Sequence, residues 1–198
     1  MKKIMFNNTY GLTQAVKQGI KTMTRRVLNL TEADEEYLGQ AFDWDLRESV
    51  ILDRYAQYKV VEVVAIAESY RSLNENGYLA PEWLDHTCED SAGYENKMFV
   101  RADLMPQRIR ITDRKIERLR SISGADCLKE GIMMDPITGW YYVPNLYLHR
   151  KKKNTAGPTL FEYPKAAYYT LCKKLRMVLD NSANPWVIAY TFELLNED

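Results

Sequence analysis

The stretch Tyr58-Lys59-Val60-Val61-Glu62-Val63-Val64-Ala65-Ile66-Ala67 constrains the fold of this chain more than any other. It is dense in β-branched residues and long enough to cross a sheet. Its nearly continuous apolar character predicts burial on both faces, as in a central or barrel strand. A second apolar run, Trp186 to Leu194, follows the turn residues Asn184-Pro185 and reads as a strand that completes the same sheet. Between them Arg108-Ile109-Arg110-Ile111-Thr112 alternates strictly, the mark of a half-buried strand, and Asp113 to Arg120 reads as another. Lys3 to Phe6 and Met98 to Arg101 are shorter strand candidates.

Helical patterns are interspersed among these strands. Tyr10 to Gln18 carries Leu12, Ala15 and Val16 at helical spacing and ends at Gly19, a residue suited to the left-handed position past a helix end. Thr31 begins a capped helix whose first turn is acidic. Ser123 to Gly131 reads as a short helix with a serine cap and a closing glycine. Pro164 to Leu179 places Ala167, Leu171, Leu175 and Val178 on one stripe. Short strands mixed with helices, without strict alternation, define an α+β class with a small curved sheet or barrel. With 198 residues, 46% of them hydrophobic, one domain is expected over 1–198. Irregular insertions interrupt it near 29–57, 71–97 and 132–162.

Charge narrows the function classes. Lys+Arg 27 balance Asp+Glu 27, so no overall field draws the chain to nucleic acid or membrane, and any anion site must be local. No apolar run is long enough to span a bilayer, and Met1 to Phe6 lacks the apolar core of a signal peptide, so a cytoplasmic protein with no membrane partner is expected. Cys88, Cys127 and Cys172 are widely spaced and odd in number, which fits a reducing compartment. His86 and His149 are the only histidines, leaving little for a metal centre or a histidine triad. His86 to Asp90 offers isolated ligands without a second cluster. No cofactor is implied.

The polar stretch Gly19-Ile20-Lys21-Thr22-Met23-Thr24-Arg25-Arg26 is the candidate site. Lys21 supplies a cation or, if desolvated, a base; Thr22 and Thr24 supply hydroxyls; Arg25 and Arg26 can hold a phosphate or carboxylate. The same pattern also suits a solvated basic strand. Arg108, Arg110, Arg114 and Arg118, with Arg120, would share one face if that run were regular, making either a nucleic-acid-binding stripe or an ordinary sheet exterior. The basic run His149 to Lys153 fits a solvated loop or a nucleic-acid contact. Glu130 falls in the last turn of its helix, where a solvated carboxylate is also common.

Gly19-x-Lys21-Thr22-x-Thr24-x-Arg26, preceded by a helix and followed by the buried strand, resembles the ASCH domain, a PUA-like β-barrel group associated with RNA. Tyr58 to Val64 is similar to the family's strand after a lysine-valine-glycine-acid turn, with Val61 standing in place of the glycine. Ile122 to Gly131 looks like its helix ending in Glu-Gly, and Trp186 to Leu194 like its last strand. The likeness covers about half the chain and is nearest to the longer prophage-type members. Small amidohydrolases of that superfamily, which deacetylate N4-acetylcytidine, carry the same lysine-threonine stretch. What the resemblance implies is a small PUA-like barrel whose cleft takes a nucleoside, nucleotide or RNA base. Thr24 would be the nucleophile, Lys21 the base and Glu130 the acid that protonates the leaving amine. Thr22, Arg25 and Arg26 would contact substrate. A non-catalytic RNA-binding module and a protein-interaction domain remain the alternatives. In a regular strand Lys21 and Thr24 would point to opposite faces, so the hydrolytic reading requires the stretch to bend.

Overall fold

The two longest strands form the spine of the sheet and bury its largest side chains. In a computed structural model describing residues 1–40, 42–79, 81–84, 87–148, 157–178 and 183–195, the elements run β1 (Lys3–Ile4), α1 (Leu12–Lys17), β2 (Met23–Val27), α2 (Glu32–Gly39), α3 (Trp44–Tyr55), β3 (Val63–Ile66), α4 (Tyr70–Glu75), α5 (Pro81–Leu84), β4 (Arg108–Arg118), α6 (Gly124–Lys129), β5 (Met133–Met134), β6 (Tyr141–Tyr142), β7 (Leu160–Phe161), α7 (Pro164–Lys174) and β8 (Trp186–Leu195). The main sheet has the order β1-β3-β4-β8-β2, antiparallel except for the parallel β1-β3 pair. Ile109, Ile111, Ile116, Val187 and Ile188 from its centre join Leu12, Val16, Leu171 and Cys172 from α1 and α7 in one core. Each such aliphatic side chain contributes about 1.5–3 kcal/mol by leaving water. Tyr70, Leu73, Val100 and Met105 form a smaller cluster beneath α4.

The α+β expectation holds, whereas the closed barrel does not: among the described residues β1 and β2 are edges of an open sheet. The physical reason is length. β1 pairs over only two residues, and beyond it the chain turns away through Asn7 and Asn8 into α1. What spans the gap is a side chain, Arg26 Nη2 donating to Met5 O at 2.6 Å. The cleft described below opens at this seam.

Three local expectations are corrected. The long apolar run starting at Tyr58 is a strand only from Val63; Lys59 to Glu62 is a turn closed by Glu62 N donating to Lys59 O, with Val60 and Val61 exposed. Val61 has φ 67, the third position of a type II turn, which ordinarily takes glycine. A β-branched residue there is strained by about 1–2 kcal/mol. Val61→Gly is therefore expected to stabilise the protein by about 1 kcal/mol, after the extra freedom it gives the unfolded chain, and to raise the urea midpoint. Second, Arg108 to Arg118 is one strand, but its register with β8 shifts between Ile111 and Asp113. That bulge reverses the alternation, so Ile109 and Ile111 before it and Ile116 after it all face the core. Arg108 and Arg110 consequently lie on one face, and Arg114 and Arg118 on the other. Third, Lys97–Phe99 is a tight helical turn rather than part of a strand at Met98.

The regions read as irregular insertions also contain elements. Residues 29–57 hold α2 and α3, the latter burying Arg47, Ile51 and Leu52. Residues 132–162 hold the three-stranded sheet β5-β6-β7. Its two-residue strands are too short to produce a periodic signal. The helix expected to reach Leu179 stops at Lys174, and Arg176 adopts φ 58. Among the described residues no helix is long and apolar enough to cross a membrane. His86 and the basic run His149 to Lys153 lie outside the described residues.

Candidate functional site

Two helix ends converge on Lys21. Gly19, at φ 70, closes α1, and the amides of Ile20 and Lys21 both donate to Ala15 O at 2.9 Å, turning the chain back across the helix end. Thr22 N then donates to Lys129 O and Thr22 O accepts from Phe192 N, tying the segment to α6 and β8 before β2 begins. The required bend is thus present. At the end of α6, Gly131 has φ 94, and a Cβ there would meet Leu12 at 3.4 Å and Lys21 at 3.5 Å. These are ordinary contact distances, so it is the positive φ, not lack of space, that favours glycine here.

Lys21 is 2% exposed. Its Nζ donates to Glu130 Oε2 at 2.6 Å, Met23 O at 2.7 Å and Glu130 O at 2.8 Å. Burial pushes its ammonium below the ordinary lysine value, Glu130 pulls the other way, and Arg26 and Arg25 reinforce the fall. Three acceptors around three protons suit the charged form. Arg25 holds the other oxygen, Nη1 to Glu130 Oε1 at 3.0 Å, while Nε donates to Glu117 Oε1 at 2.7 Å and Nη2 lies 3.4 Å from Asp126 Oδ2. Burial opposes the Arg25 charge, but Glu130, Tyr168 and Glu117 outweigh it and raise the guanidinium above its usual value. Arg25 is thus engaged as a buried clamp on Glu130.

These side chains line a cleft of about 530 Å³ at the seam between β1 and β2, a size that accepts a nucleoside. Lys21, Thr24, Arg25, Arg26 and Glu130 all border it. Thr22 does not; its backbone is committed to α6 and β8. Arg108, Arg110, Arg114 and Arg118 are also elsewhere, the last three paired with Glu193, Asp53 and Glu35. Arg118 additionally lies over the Trp186 ring at 4.0 Å.

Several lining residues escape sequence reasoning. Tyr168 is buried with no well-formed hydrogen bond beyond the weak thiol of Cys172, and burial raises it well above the usual phenol value. Cys172 lies beside it; burial pushes its thiol up to about 12, so it is no nucleophile near neutrality. Lys97 comes from a region read as an insertion. Its Nζ donates to Phe6 O, to Asn8 Oδ1 at 2.9 Å and to Thr13 Oγ1 at 3.3 Å. A lone lysine in a turn-rich stretch gives no sequence signal for this position.

Burial moves the Lys97 ammonium down to about 8, with Glu68 opposing and Arg26 assisting. The unfolded chain keeps that proton to about 10.5, so between those values it binds more protons than the folded chain and stability rises with pH. Urea midpoints measured below about pH 8 and near pH 10 are expected to show a smaller rise in Lys97→Met than in wild type.

No protein-family model, curated protein or solved structure matches the chain.

Proposed function

We propose that the cleft binds a nucleoside, with Lys21, Thr24 and Glu130 hydrolysing an N4-acylcytidine-type amide, and that the chain is an ASCH-type protein with an opened PUA-like sheet. The observation carrying this reading is the meeting of Lys21, Thr24 and Glu130 in one cleft, with Lys21 and Glu130 2.6 Å apart. In the neutral tautomer of that pair, Lys21 accepts the Thr24 hydroxyl proton as Oγ1 attacks the acyl carbon. Protonated Glu130 gives its proton to the departing N4 nitrogen as the C–N bond breaks, releasing cytidine and leaving the acyl group on Thr24. Water then attacks this ester; Lys21 returns its proton to Thr24 Oγ1, while the water's proton passes to the pair and the carboxylic acid leaves. Arg25 keeps Glu130 oriented throughout.

A non-catalytic base-binding cleft is the second reading, supported by the complete engagement of the Lys21 ammonium with acceptors of the protein. Purified protein incubated with N4-acetylcytidine and followed by liquid chromatography separates the two. Release of cytidine is expected; thermal stabilisation by the nucleoside without turnover would leave only binding, and neither effect would remove the nucleoside reading.

A further inference from the structure

The cleft has a second chemical end. Beyond the Lys21-Glu130-Arg25 group, which neutralises much of its own charge, Arg26, Lys97 and Arg176 also line it. Glu130 is the only acidic residue among the described lining residues, in a chain whose net charge is zero. Glu68 acts on Lys97 but is shared with Lys17, its partner at 3.1 Å, so the three groups together keep one positive charge. Arg26 uses one nitrogen on Met5 O, and Arg176 makes no ion pair among the described residues. Such a surplus inside a concave, partly desolvated site attracts an anion.

The arrangement also has a length. Helix α7 runs along the cleft from Tyr168, influenced by Glu130 and Arg25, through Leu171, Cys172 and Leu175 to Arg176 just past its end. The helix supplies about 9 Å of rise from Tyr168 to Lys174, and Arg176 follows two residues on, where the chain leaves the helix at φ 58. At the inner end the Tyr168 hydroxyl has only the weakly bonding Cys172 thiol beside it, so a polar ligand group there would bond it better.

We infer that the ligand of this cleft is a nucleoside monophosphate, its base beside Lys21, Glu130 and Tyr168 and its phosphate held by Arg26 and Arg176, with the Lys97 ammonium, whose protons go to Phe6 O, Asn8 Oδ1 and Thr13 Oγ1, adding positive charge alongside. The inference rests on the nucleoside reading above and adds the anionic end. A single terminal phosphate fits better than a strand, because a cleft of about 530 Å³ encloses about one nucleotide.

Isothermal calorimetry at low ionic strength with cytidine, cytidine 5′-monophosphate, inorganic phosphate and a cytidine-centred RNA trinucleotide tests it. The monophosphate is expected to bind tenfold to a hundredfold tighter than cytidine, roughly the worth of charge-assisted contacts to one phosphate. That advantage should shrink with salt and be competed by inorganic phosphate. Arg176→Gln should reduce the ratio of the two affinities several-fold, while Arg176→Lys should preserve most of it; the fold of each variant is checked by its melting curve. Equal affinities for cytidine and its monophosphate would overturn the inference and leave the nucleoside reading intact. Tighter binding of the trinucleotide would overturn it in favour of an RNA strand. An undiminished ratio in Arg176→Gln would remove the phosphate assignment, and absence of binding by every probe would remove both readings.

Discussion

Thr24→Ala is expected to lower the rate of N4-acetylcytidine hydrolysis by a factor on the order of a thousand or more while leaving the melting temperature within a few degrees of wild type. The residue lies on β2, register-paired with Tyr190 on β8, so its backbone is fixed by the ladder whatever side chain it carries. Alanine retains the β-carbon and removes only the hydroxyl and methyl groups. Loss of rate without loss of fold therefore isolates the nucleophile. Thr24→Ser should restore much of the rate, since it restores the hydroxyl. On the proposed mechanism Lys21→Met should also abolish turnover, though by a separate route, by leaving the hydroxyl without an acceptor for its proton. Turnover surviving Thr24→Ala at wild-type rate would exclude the acyl-threonine and leave direct attack by water.

The largest stability effect is expected at Arg25. Its side chain is fully buried and faces Glu117, Asp126 and Glu130. Removing the guanidinium leaves three carboxylates around an apolar side chain, at a cost of about 3–5 kcal/mol. Arg25→Met should thus lower the urea midpoint sharply, and Arg25→Lys should recover only part of the loss, because one ammonium cannot reach three acceptors set around a planar fork. Combining Arg25→Met with Glu130→Gln should cost less than the two single changes added together, since the second change removes a charge the first has stranded. Strict additivity in that cycle, measured by urea denaturation, would show that the contact between them contributes nothing.

Legibility from sequence followed the range of the interactions. The end of α1 at Gly19 and the serine-capped helix ending at Glu130-Gly131 are encoded in neighbouring residues, and the structure has both. Strand β8 was also legible, being long and apolar. The role of Arg25 was not, because it depends on Glu117 from β4 and Asp126 from α6 being brought to one guanidinium. A bulge also hides in sequence: Arg108 to Thr112 and Asp113 to Arg120 read as two strands, and only the register with β8 shows one strand with a shift between Ile111 and Asp113. Val61 conceals a turn because valine is what a strand would contain. Conversely, Lys97 and Tyr168 reach the cleft from segments whose local patterns speak only of turn and helix.

The wiring of Lys21 bears on how the molecule is assembled. Its carboxylate partner is 109 residues away, and the segment is also anchored to Phe192 near the end of β8. Closing loops of that length is entropically slow, and an unpaired ammonium resists dehydration until its acceptors arrive. On the amidohydrolase reading the site is complete only when α6 and β8 are both in place, because Lys21, Glu130 and the Phe192 anchor come from segments far apart in the chain.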